Sequence, residues 1–133
     1  MGLTLKTVIR CADYQKSKHF YHDVLGLEVL SEWDTPLGTG CMLGFGETGA
    51  GGVLELYQMT PADSRFDPAF GRPFTSDKID LQLGAEDLAA WQARLDGAWP
   101  YEGPIAMPWP EWRLKLRDPD GLLVQLCVEG REG

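Results

Sequence analysis

Apolar and polar residues alternate from the start of the chain. Over residues 3–11, Leu5, Thr7, Ile9 and Cys11 fall on one side of an extended backbone and Lys6, Val8 and Arg10 on the other. A period of two predicts a strand with unlike faces. The pattern then widens. Tyr14, Phe20, Tyr21, Val24 and Leu25 predict a helix over 14–25, with Asp13 placed to cap it and Gly26 to end it. Runs at 27–33, 39–45 and 53–59 read as three more strands, separated by Pro36-Leu-Gly38 and by the glycine-rich stretch 46–52. The same order then starts again. A strand at 79–83 precedes a helix at 88–95, with Leu88, Trp91 and Leu95 on one face and Gly97 after it. Strands follow near Ile105, at 112–117 and at 122–128.

The second series repeats the first. Residues 6–13 (KTVIRCAD) correspond to 80–87 (DLQLGAED), and 51–56 (GGVLEL) to 121–126 (GLLVQL), at nearly the same separation. This predicts a duplicated strand–helix–three-strand unit. Asp118-Pro-Asp-Gly121 reads as a four-residue hairpin turn. Such a turn sets Trp112 opposite Cys127 and Leu114 beside Gln125. The connector at 60–77 holds Pro61, Pro68 and Pro73 with Phe66, Phe70 and Phe74 between them. It is long for a compact domain, and reads as a lid over a ligand cavity or as a crossover packed by its phenylalanines.

Composition narrows the function. With 133 residues, 44% hydrophobic and 24% charged, the chain has the make-up of one globular domain. Twelve Lys and Arg against 20 Asp and Glu give a net charge of −8, which speaks against nucleic acid and anionic membrane surfaces as partners. No apolar run approaches the ~18 residues of a membrane helix, and the first residues lack the pattern of a secretion signal. Cys11, Cys41 and Cys127 form no close-spaced pair, as expected of a reduced, cytoplasmic protein.

Asp13-Tyr-Gln-Lys-Ser-Lys-His-Phe-Tyr-His-Asp-Val-Leu-Gly-Leu27, Asp118-Pro-Asp-Gly121 with Leu-Leu-Val-Gln-Leu126 after it, and the duplication together resemble the vicinal oxygen chelate superfamily. That superfamily includes glyoxalase I, bleomycin resistance proteins and extradiol dioxygenases. The resemblance implies an α+β fold: two tandem βαβββ units forming a cupped mixed sheet, in a single domain over 1–133. Unit one would span about 1–60, the crossover 60–77 and unit two about 78–130. Each sheet would pack one face on its helix and turn the other to the cup. Lys6, Val8, Arg10, Val53, Glu55, Tyr57, Asp80, Gln82, Leu123, Gln125 and Cys127 would then face the cup.

Glyoxalase I places four metal ligands in that cup: His or Gln, Glu, His and Glu. By register those positions are Lys6, Glu55, Asp80 and Gln125 here, and only Glu55 keeps its family residue. A protonated ammonium cannot coordinate a cation. No metal and no other cofactor is therefore expected; a divalent ion on a non-standard ligand set is the disfavoured alternative. Lys6 would instead balance Glu55 and Asp80, with Arg10 nearby, at the position where glyoxalase I carries an arginine for the glutathione carboxylate. His19 and His22 fall on the solvated side of the first helix. Trp33 and Trp112 would supply aromatic walls.

The ligand set expected on these grounds is Lys6, Arg10, Trp33, Glu55, Tyr57, Asp80, Gln82, Trp112, Leu114 and Gln125, holding an aromatic or cationic small molecule. The alternative is a lyase, isomerase or dioxygenase of the superfamily. In a metal-independent version Glu55 or Asp80 serves as general base and Lys6 or Arg10 stabilises an oxyanion. The resemblance also implies a homodimer.

Overall fold

The computed structural model describes residues 2–65 and 78–130. The phenylalanines of the connector, Phe66, Phe70 and Phe74, with Pro68 and Pro73, lie outside the described residues, and so does the expected lid or crossover they belong to. The chain divides into two units, Met1–Phe74 and Thr75–Gly133.

In unit one, β1 (Lys6–Arg10) runs into α1 (Tyr14–Lys18), followed by β2 (Glu28–Asp34), β3 (Gly38–Phe45) and β4 (Gly52–Met59). The sheet order is β1-β4-β3-β2, with β1 parallel to β4 and the other pairs antiparallel. Asp13 caps α1 by accepting from the Lys16 amide at 3.2 Å. The predicted helix over 14–25 does not stay α-helical: His19–Val24 is a π-helical turn, in which the Leu25 amide reaches back to the Phe20 carbonyl at 3.0 Å. Phe20 and Tyr21 are both fully buried on this wider turn, edge to face at 4.8 Å. They belong to a core with Cys41, Leu43, Leu54 and Leu56 from the sheet, so one sheet face is covered by helix.

Unit two repeats the plan with β5 (Leu81–Gly84), α2 (Leu88–Leu95), β6 (Glu102–Ala106), β7 (Glu111–Arg117) and β8 (Leu123–Glu129) in the order β5-β8-β7-β6. Asp87 caps α2 as Asp13 caps α1, accepting from the Ala90 amide at 3.1 Å. Leu88 and Leu95 of α2 are buried, as are Leu114, Leu116, Val124, Leu126 and Val128 of the sheet. This is the α+β plan of two four-stranded mixed sheets, one βαβββ unit each.

Three expectations need correction. The first strand begins at Lys6, not at residue 3: β4 starts at Gly52, so its pairing with β1 begins at Lys6–Val53, and Leu3 and Leu5 are left exposed. For the same reason β5 begins at Leu81, opposite Val124, and Ile79 is exposed.

The third correction concerns the β7–β8 hairpin. Its connection has five residues, 118–122, because Asp118 Oδ1 accepts from the amides of both Asp120 and Leu122 at 2.9 Å. The extra residue shifts the register by one. Trp112 stands opposite Val128 and Leu114 opposite Leu126, on the helix-covered face. Leu114 is fully buried there, so neither residue belongs to the ligand face as expected. Arg113 and Lys115 take their place, opposite Cys127 and Gln125.

Candidate functional site

The four positions that the resemblance sets at the glyoxalase I ligand places are equivalent in the two sheets. Lys6 is aligned with Val53 at the start of β1, and β5 is entered through Asp80 just before the Leu81–Val124 pair. Glu55 lies opposite Val8, and Gln125 opposite Gln82. Each unit therefore carries two of the four on the sheet face turned away from its helix.

In unit one, Lys6 Nζ donates to Glu55 Oε1 at 3.0 Å, with the Lys6 side chain about half exposed and Glu55 largely covered. Arg10 and Tyr57 are aligned one step along the same face. Tyr57 donates to Asp63 Oδ2 at 2.7 Å, which fixes its ring. Strand β3 makes room for the aromatic groups. Gly38, Gly40 and Gly44 alternate on this face, opposite Met59, Tyr57 and Val53. A Cβ on Gly38 would sit 2.5 Å from the Tyr57 ring, and one on Gly40 would sit 2.8 Å from the Trp33 ring. Trp33, aligned with Gly40 from β2, thus lies over bare backbone beside Tyr57.

Unit two presents a polar network. Asp80 Oδ2 accepts from Gln125 Nε2 at 2.7 Å and from Gln82 Nε2 at 3.2 Å. The Gln125 amide, foremost, and that of Gln82 hold the Asp80 carboxyl below its ordinary range. The amide oxygens in turn accept from Arg113, Gln125 Oε1 from Nη1 at 3.2 Å and Gln82 Oε1 from Nη2 at 3.4 Å. Arg113 Nε donates to Glu111 Oε1 at 2.9 Å, and the guanidinium lies 5.6 Å from the Trp109 ring centre. The Arg113 bond lowers the Glu111 pKa. Arg113 is only 8% exposed. Burial, then the contact with Glu111, raises the Cys127 thiol to about 11, so it stays protonated and is no nucleophile at neutral pH.

Sequence reasoning missed Arg113. The alternation of Trp112, Leu114 and Leu116 with Arg113, Lys115 and Arg117 was the available signal: it sets the charged residues opposite Gln125 and Cys127 and the apolar ones opposite Val124, Leu126 and Val128.

As bonded here, these side chains leave few donor atoms to a metal ion. An ammonium is bonded to one oxygen of Glu55, and the amide oxygens of Gln82 and Gln125 are taken by a guanidinium. Asp80 receives two amide N–H groups. No group of three or more His, Cys, Asp or Glu among the described residues is arranged to hold a metal. His19 pairs with Asp23 at 3.0 Å and His22 Nδ1 lies 2.7 Å from the Leu27 carbonyl, both away from these clusters.

The model of the Glyoxalase/Bleomycin resistance protein/Dioxygenase superfamily matches residues 5–126. A "Probable lactoylglutathione lyase" of Synechocystis sp. is 41% identical over 86 residues, which cover 63% of this chain and 60% of that protein's length. Among solved structures, the antibiotic binding protein TnmS3 of Streptomyces sp. aligns over 98% of this chain and 99% of its own, with a TM-score of 0.70 and 22% identity. The trypanothione-dependent glyoxalase I of Leishmania major aligns over 99% and 88%, with a TM-score of 0.68 and 24% identity.

Proposed function

Because the chain belongs to the glyoxalase/bleomycin resistance protein/dioxygenase superfamily, we propose that it binds a small organic molecule without a metal ion. The observation that carries this reading is the Lys6 ammonium 3.0 Å from Glu55 Oε1, at the one metal-ligand position that keeps its family residue. A divalent cation beside Lys6 would meet repulsion and lose that oxygen as a donor.

What remains is a recognition surface. Trp33 and Tyr57 offer aromatic area over the glycines of β3, which suits a flat ligand. Glu55, with its second oxygen, and the acidic chain as a whole favour a ligand that also carries positive charge. The fold, shared with an antibiotic binding protein and with a glyoxalase I alike, is compatible with sequestration and with turnover. The same reading takes the protein as a cytoplasmic homodimer that binds neither nucleic acid nor membrane; no helix among the described residues is long and apolar enough to cross one.

The 41% identity to a protein named as a lactoylglutathione lyase favours a second reading, a lyase or isomerase. In it Glu55 takes a proton from the substrate while Lys6 or Arg10 stabilises the developing oxyanion. A dioxygenase or other enzyme with a non-standard metal set has less support, given the occupied donor atoms.

The test is elemental analysis of untagged protein purified without chelators. It is combined with tryptophan fluorescence titrations of cationic aromatic compounds and a hemithioacetal turnover assay. The binding reading expects no stoichiometric metal, and a ligand whose affinity falls in Trp33→Phe and Glu55→Gln. One zinc, nickel, iron or manganese per chain, lost in Glu55→Gln, overturns it. Metal-free turnover that disappears in Glu55→Gln establishes the enzyme instead.

A further inference from the structure

Unit two holds a cavity of about 340 Å³ at the end of its sheet, formed where β6, β7 and the start of β8 meet the loop that follows α2. Its walls include Trp99 and Tyr101 from the loop and Lys115, Arg117 and Leu123 from the sheet, with Glu102 at the edge strand. It is built from unit two alone; Lys115 shares its sheet face with Arg113, but none of the residues named in the proposed function lines it.

Two features of the cavity point to its ligand. The first is a rigid aromatic wall. Trp99 Nε1 donates to the Arg117 carbonyl at 2.9 Å, and the Tyr101 hydroxyl donates to Asp96 Oδ1 at 2.5 Å. Both polar ends are thus satisfied by the protein, and the half-buried rings are left as apolar surface. Leu123 adds to that surface.

The second is charge. Lys115 and Arg117 alternate on the sheet face away from α2, aligned with Gln125 and Leu123. Arg117 is anchored by one bond, Nη1 to the Gly121 carbonyl at 3.1 Å, which leaves most of its five donors to a ligand. The Lys115 ammonium has no hydrogen-bond or ion-pair partner among the described residues, although Glu102 is its neighbour in the β6–β7 register. The lining itself holds two cations and one carboxylate on a chain of net charge −8, and the Asp96 carboxylate beside it is engaged by the Tyr101 hydroxyl. Over the ~8 Å screening length of physiological salt, the local charge governs what docks.

We propose that this cavity binds a flat aromatic acid, its ring against Trp99 and Tyr101 and its carboxylate on Lys115 and Arg117. The proposal stands whether or not unit one works without a metal.

Titration calorimetry with 2-naphthoate, and with uncharged 2-naphthamide as its isostere, tests it on the full chain. Naphthoate is expected to bind about 10-fold more tightly than the amide at low salt, the size of one good charge-assisted contact. Lys115→Met and Arg117→Met each close most of that gap. Trp99→Phe, which loses the bond to the Arg117 carbonyl, weakens both compounds. Arg94→Met, which removes an exposed cation on α2, is the control and is expected to leave both affinities unchanged. Equal binding of acid and amide, no binding of either, or an equal loss in Arg94→Met and Lys115→Met overturns the proposal.

Discussion

Asp118 decides which side chains of β7 reach the ligand face, and its removal makes a sharp prediction. The residue is 4% exposed and its carboxylate accepts from the amides of Asp120 and Leu122. In Asp118→Ala those two N–H groups lose their acceptor within a tight connection. At about 1–1.5 kcal/mol for each lost bond, the variant is expected to be less stable by about 2–3 kcal/mol. With an unfolding entropy of about 2.1 cal/mol/K per residue over 133 residues, that is a fall in Tm of roughly 7–11 °C. Asp118→Asn keeps an oxygen at the same place and gives up only the charge, so it recovers more than half of the loss. Urea unfolding of the three proteins, followed by circular dichroism, checks the prediction. An Asp118→Ala midpoint within about 0.5 kcal/mol of the parent, the usual range of surface substitutions, refutes the claim that this side chain holds the five-residue connection.

Other consequences can be measured separately. Leu114→Ala, at a fully buried position, is expected to cost about 2–5 kcal/mol in urea unfolding; a smaller loss would put Leu114 back on a ligand face. Gly40→Ala drives a methyl group against the Leu56 carbonyl and to 2.8 Å from the Trp33 ring. It is expected to cost about 1–3 kcal/mol and to shift tryptophan emission; an unchanged spectrum argues against that contact. Cys127 is expected to resist iodoacetamide at pH 8 and to react only as pH approaches 11. An unfolded thiol ionises near 9 while this one holds its proton, so Cys127 lowers stability as pH rises through that window. Asp80 has the opposite sign. Its lowered pKa gives stability that is present above the ordinary value of 3.8 and lost as pH falls through the folded value. Gln125→Leu is expected to raise that pKa, as read by carboxyl-carbon NMR, and no rise would dismiss the amide bond as its main cause.

Much of this was legible in the chain. The two series of alternating runs, with Asp13 and Asp87 before their helices, gave the βαβββ plan, because period-two patterning and caps are local signals; setting Lys6 beside Glu55 took the resemblance to the superfamily as well. Less legible were features set by long-range pairing. Nothing local to Leu3, Leu5 or Ile79 says that the partner strand begins too late to cover them. The five-residue hairpin connection is held by an aspartate that binds two amides, which a turn motif alone does not reveal. The polarity of β7 against β8 carried that register independently, since a slipped pairing sets Leu114 against Gln125. The change from α-helix to π-turn at His19 has no comparable sequence mark.

The third strand of each unit shows what duplication has permitted. On the face away from the helix, β3 carries Gly38, Gly40 and Gly44 around Met42, whereas β7 carries Glu111, Arg113, Lys115 and Arg117. One copy is nearly bare at these positions and the other carries charge at them. Changes of shape and changes of charge can therefore accumulate on separate strands, each buffered by its own hydrophobic layer. A lineage can enlarge the space above β3 without disturbing the ionic order of β7, and can retune β7 without closing the space above β3. Divergence between the copies gives one small domain two independent means of altering what it recognises.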